Sequence, residues 1–202
     1  MLSAVDARRY PKAAEYLSRL PDGLDSHPQC QVKGSILASM LGSTPVPFVR
    51  EGLPAPLVAL LDEPPLPNAW VSEVSFNALL MAHEEQLAPD VLSAWVEARN
   101  RRLMRSPLYA VLFRLVGPER ILSGSANRWR AFRRGTELRV VAQAKGSATV
   151  QIDFPFRLYT ASIVDNITKA WGAACEVAGA RNFVGEVETL TDVSACCRAR
   201  WD

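Results

Sequence analysis

The stretch Leu138-Arg139-Val140-Val141-Ala142-Gln143-Ala144-Lys145-Gly146-Ser147-Ala148-Thr149-Val150-Gln151-Ile152-Asp153 decides the fold class. Leu138, Val140 and Ala142 fall on alternate positions, as do Ala148, Val150 and Ile152. A period of two puts one set of side chains on each face of a strand. Lys145-Gly146 separates the two runs, and glycine supplies the backbone freedom that a tight hairpin turn needs. The stretch therefore predicts a β-hairpin, ended by Pro155.

Downstream the period changes to that of a helix. Ile163, Ile167, Trp171, Ala174 and Cys175 recur on one face, and Gly179 stops the run. Ser162 reads as the N-cap, with Asp165 three places on in a capping-box-like role. Residues 183–187 and 193–199 then predict a second hairpin. The order is β-β-α-β-β.

Upstream, prolines punctuate a series of helices. Pro11 opens one whose inner positions are Ala13, Tyr16, Leu17 and Leu20. Ser26-His27-Pro28 predicts a second, with Val32, Ile36, Leu37 and Met40 inward and Gly42 at its end. A short helix follows around residues 57–61. Glu63 to Pro67 is extended, because a residue before proline is pushed out of the α region. A longer helix spans about 72–86, with Val74, Phe76, Ala78, Leu79, Leu80 and Ala82 inward. Pro89 starts the next, and further helices cover 109–116 and 120–132. Helices followed by a hairpin-helix-hairpin predict an α+β fold, a helical N-terminal layer and an antiparallel sheet. We expect one domain, with a proline-rich helical part over 1–88 and an α+β part over 89–202.

Composition narrows the function classes. Hydrophobic residues make up 49% and charged residues 22%, which excludes a disordered chain. The net charge of +2 is too small to imply a nucleic-acid or membrane partner. The charge is uneven: residues 51–97 contain acids and no Lys or Arg. Eleven arginines follow between Arg99 and Arg139, opposed by Glu119 and Glu137. No apolar run reaches membrane-helix length and the N-terminus lacks a signal-peptide pattern, so a cytoplasmic location is expected. Cys30 and Cys175 are isolated, and the adjacent Cys196 and Cys197 should point to opposite faces of a strand, so no structural metal is expected.

Two runs carry a family resemblance. Leu112-Phe113-Arg114-Leu115-Val116-Gly117-Pro118, followed by Trp129-Arg130-Ala131-Phe132-Arg133-Arg134-Gly135, resembles the centre of the 4-vinyl-reductase-like domain. That domain shares a superfamily with the heme nitric-oxide/oxygen-binding domains and the TRAPP subunits. The layout is also similar to a myxobacterial family of uncharacterised proteins of about this length, ending in an aromatic strand like Arg200-Trp201. The resemblance covers Pro89 to Asp202. It implies a pocket for an apolar ligand between helices and sheet, and a non-enzymatic sensory or regulatory domain that signals through a dimer or a partner protein. Trp95, Tyr109, Trp129, Phe132 and Trp171 are the candidate pocket walls. Two departures weigh against the family's cofactors. The Tyr-x-Ser-x-Arg propionate clamp of the heme members is absent, and Cys175, Cys196 and Cys197 do not match the spacing of the zinc-binding members.

His83, beside Glu84 and Glu85, has two readings: a heme ligand in a gas sensor, or a surface histidine paired with a neighbouring glutamate. His27 reads as a capping-region residue. With Cys30 three residues on, it lacks an oxyanion donor and a third group, so cysteine catalysis is not expected. No phosphate loop or nucleophile elbow occurs. Arg128, Arg130, Arg133 and Arg134 surround Trp129 and Phe132, which predicts either a solvated helix with aromatic anchors or a partner-binding surface. The expected ligand set is a small apolar molecule and another protein or a second copy, with no membrane or nucleic acid. No cofactor is expected on the main reading, and heme on the alternative.

Overall fold

A computed structural model describes residues 4–44, 46–105 and 117–202. They form two units, 1–95 and 96–202. The expected helix at 109–116 and Tyr109 lie outside the described residues.

In the first unit, helix α1 (Pro11–Ser18) buries Ala13 and Tyr16. A single 3-10 turn (Gly23–Asp25) follows. Then comes a departure from the sequence reading. The expected helix from Ser26 begins only at Gly34, as α2 (Gly34–Leu41), and Gln31–Lys33 is a strand, β1. Val32, expected on a helical stripe, pairs instead with Val71 of β2 (Trp70–Ser72) in an antiparallel ribbon. Two backbone bonds hold the chain here, Gly34 N–H to the Ala69 carbonyl and Ser35 N–H to that of Pro67. A β-carbon on Gly34 would lie 2.3 Å from the Leu66 carbonyl oxygen, so only glycine allows this approach.

Helix α3 (Ala55–Asp62) precedes β2, and α4 (Glu73–Glu84) follows it directly. The Ser72 side chain caps α4 by accepting from the Ser75 N–H. The Cys30 carbonyl accepts from the Glu73 N–H, so the ribbon fixes where α4 starts. All twelve residues of α4 are buried, beyond the single apolar stripe that the sequence predicts. Helix α5 (Pro89–Arg105) spans the boundary between the units.

In the second unit the expected helix over 120–132 is two helices, α6 (Pro118–Ser123) and α7 (Ser125–Phe132), broken at Gly124. A short extended pair, β3 (Arg133–Arg134), leads into the sheet. Strands β4 (Glu137–Ala144), β5 (Ser147–Asp153), β6 (Val184–Leu190) and β7 (Ser194–Arg200) form an antiparallel sheet in the order β4-β5-β7-β6. The hairpin turn falls at Lys145-Gly146 as expected, with Gly146 at φ +70°. Helix α8 (Ala161–Val177) connects β5 to β6. Its N-cap is Thr160, which accepts from the Ile163 N–H, rather than Ser162. Asp165 pairs with Lys169 one turn on at 2.8 Å, not with the helix start.

The sheet separates apolar from polar by its pleat. Leu138, Ala148, Val150, Ile152, Ala195, Cys197 and Ala199 are buried. The outer face carries the ion pairs Arg139–Asp153, Glu188–Arg198 and Glu186–Arg200. The fold is α+β, as the change of period at Leu138 predicts.

Candidate functional site

The first unit concentrates buried polar groups on α4: Glu73, Asn77 and His83 are fully buried and Glu84 nearly so. Burying such groups is costly unless each is hydrogen-bonded. Asn77 Nδ2 donates to the Tyr16 hydroxyl at 3.2 Å. Burial pushes the Tyr16 phenol far above its ordinary value, and burial raises the Cys30 thiol to about 11. Cys30 is therefore a protonated core thiol, not a nucleophile. His27, whose backbone is left-handed at φ +52°, sits in the loop before β1 and starts no helix.

His83 corrects the reading of a surface histidine. Its side chain is 0% exposed. Phe48 stacks on the ring with centroids 4.0 Å apart and planes 20° apart, and Trp95 meets it edge-on at 4.8 Å. Nε2 lies 2.5 Å from Thr44 Oγ1. The neighbouring glutamate turns elsewhere: the Glu85 carboxylate accepts from the Lys12 and Ala13 N–H groups at the start of α1. There the carboxylate meets the positive end of the helix. Gln86 Nε2 donates to the Tyr10 hydroxyl, which donates to the Val49 carbonyl. This ties Val49, through Tyr10, to the residues just after α4.

The second unit has its own aromatic and cationic cluster. Trp129 Nε1 donates to Thr136 Oγ1 at 2.9 Å. Arg133 is buried, its guanidinium 4.9 Å from the Trp129 ring centre and 5.8 Å from that of Tyr159. Burial lowers the Arg133 pKa, and Tyr159 opposes the shift. Arg128 donates to the Arg120 and Ile121 carbonyls at the end of α6, each at 2.6 Å. Of the four arginines expected at a partner surface, Arg130 and Arg134 are exposed, whereas Arg128 and Arg133 turn inward.

The predicted pocket walls divide between the units. Trp95 belongs to the first, beside His83. Trp129 is buried on α7, and Phe132 is half-buried against a cluster that includes Ile121, Cys175 and Trp201. Trp171 is half-buried on α8. An open cleft of about 370 Å³ is lined by Pro118, Lys145, Gly146, Gly179, Trp201 and Asp202, and none of the predicted wall residues is among them. Among the described residues no three His, Cys, Asp or Glu side chains group as a metal site, and no helix is long and apolar enough to cross a membrane. The His83 surroundings were not legible from sequence, because Thr44 and Phe48 lie 39 and 35 positions away with no motif linking them.

The architecture is that of the H-NOX domains. An Fe(II) unliganded H-NOX protein from K. algicida matches with a TM-score of 0.51 at 13% identity, covering 84% of this chain and 96% of that one. An oxygen-binding H-NOX domain related to soluble guanylate cyclases matches at 0.55 and 10% identity, over 84% and 95%. A third H-NOX structure, from work on heme distortion in that family, matches at 0.56 and 11%, over the same shares. At these identities the likeness establishes the fold. No family model and no curated protein matches the chain.

Proposed function

We propose that the chain is a non-enzymatic sensory domain that binds a small apolar ligand and passes the event to a second copy or to a partner protein. The observation that carries this reading is the likeness to H-NOX domains over 84% of the chain, since the neighbours are named for binding oxygen and heme. Phe132 and Trp171, both half-buried, and the buried Trp129 are our candidate ligand contacts in the second unit, with Trp95 the candidate in the first. The exposed Arg130 and Arg134 are our candidate partner contacts.

Native mass spectrometry of the protein purified from its own host, beside a denatured control and an absorption spectrum, tests the reading. A co-purifying apolar molecule supports it. A ligand-free mass, with no shift in melting temperature on adding fatty acids or porphyrins, overturns it. A heme-based gas sensor is the second reading, supported by the heme named for a neighbouring structure.

A further inference from the structure

We infer that His83 is a structural latch that fastens Thr44 and Phe48 onto α4, and is not an iron ligand through Nε2. A histidine binds a metal through a deprotonated ring nitrogen whose lone pair faces open space. The metal must then lie about 2 Å beyond that nitrogen. In this chain Thr44 Oγ1 lies 2.5 Å from Nε2, where such a metal would have to go. Phe48 covers one face of the ring and Trp95 closes on it edge-on.

The hydrogens settle the direction of the bond. The Thr44 hydroxyl is 2.6 Å from the Val46 carbonyl oxygen, which can only accept. A hydroxyl has one hydrogen, and here it goes to that carbonyl. Thr44 Oγ1 then accepts from the Val46 N–H at 3.3 Å and from Nε2–H of His83. The bonds of the Thr44 hydroxyl are all made with the His83 proton on Nε2, the form in which that nitrogen has no lone pair for a metal. Nε2 of His83 therefore does not fit an axial bond to a heme iron.

The test uses the full chain, with hemin as the probe. In wild type, nitrogen NMR of the imidazole should place the proton on Nε2. Hemin followed by dithionite and carbon monoxide should give a spectrum that His83→Ala leaves unchanged, whether or not a Soret band forms. Thr44→Val and His83→Ala should each lower the melting temperature, His83→Ala the more because it also removes the ring between Phe48 and Trp95, and the double variant should fall by less than the sum of the two, since both break the Thr44–His83 contact. An axial-histidine spectrum in wild type, lost in His83→Ala and restored by added imidazole, overturns the inference. So does a proton resident on Nδ1. If His83→Ala fails to fold, the tautomer and the Thr44→Val spectrum still decide. None of these readouts depends on whether an apolar ligand co-purifies, so failure of the sensory reading is separately visible.

Discussion

Arg133 Nη1 donates to the Tyr159 hydroxyl at 3.2 Å, inside the second unit and 26 residues away in sequence. A buried guanidinium deprived of an acceptor bears the full desolvation penalty. Tyr159→Phe should therefore lower the unfolding free energy by about 1–3 kcal/mol. Arg133→Met, which keeps a long apolar chain and removes the charge, should cost less than Arg133→Ala. Urea unfolding followed by Trp fluorescence checks both. Equal losses for Met and Ala would show that packing of the stem contributes nothing.

The start of α8 separates two capping residues. The Thr160 side chain accepts from the Ile163 N–H at 3.4 Å, whereas the Ser162 side chain is exposed on the first turn. Thr160→Ala should cost about 0.5–1 kcal/mol. Ser162→Ala should stay within about 0.5 kcal/mol of wild type. Circular dichroism melts of the two variants decide which residue caps the helix, and a larger loss in Ser162→Ala would reverse the assignment.

Where the chain alternates or repeats over many residues, its fold is legible. Leu138 to Ile152 and Ile163 to Cys175 each carry several turns of one period, and both elements lie where that period puts them. The strands β1 and β2 are three residues each, too short for a period to register. In sequence Val32 therefore reads as part of a helical stripe that continues to Met40. Gly34, whose close approach to Leu66 sets the strand end, looks in sequence like any glycine. The fate of His83 depends on Thr44 and Phe48, and nothing local marks a contact across that distance. The arginines of 128–134 are legible as a cluster. Which of them turn inward depends on carbonyls at the end of α6 and on Tyr159, which sequence spacing does not reveal.

The Cys30 thiol gives a pH dependence with a definite sign. Its ordinary value is 9.0, and burial raises it to about 11 in the folded chain. The folded state thus prefers the protonated thiol, and the unfolded state loses that proton first. Stability from this group is complete below about pH 9 and declines as pH rises toward about 11. Denaturant midpoints at pH 8 and pH 10.5 should differ less in Cys30→Ala than in wild type. Tyr16 and Cys197 are also raised by burial, so a decline remains in the variant. An unchanged difference would mean that Cys30 does not titrate in this range.

Charge reversal at the two exposed arginines probes the partner surface without disturbing the core. Arg130→Glu and Arg134→Glu leave the inward contacts of Arg128 and Arg133 in place. Melting temperatures should stay near wild type, as expected for surface substitutions. Sedimentation should show a weakened oligomer if these residues bind a second copy. An unchanged oligomer together with unchanged partner capture removes them from the proposed surface.

The contact between α8 and β6 depends on a missing β-carbon. An alanine β-carbon at Gly185 would meet the Thr168 Cγ2 methyl and would lie 3.1 Å from the Phe183 ring. Overpacking of this kind costs about 1–3 kcal/mol. Gly185→Ala should lower stability by that amount. Thr168→Ser removes the methyl and keeps the hydroxyl that donates to the Val164 carbonyl at 2.9 Å. In a Thr168→Ser background the cost of Gly185→Ala should shrink, because the nearest obstacle is gone and only the Phe183 contact remains. A double-mutant cycle by urea unfolding measures this coupling. If the two substitutions add independently, the obstruction at Gly185 lies with Phe183, and Phe183→Leu should then be the variant that relieves it.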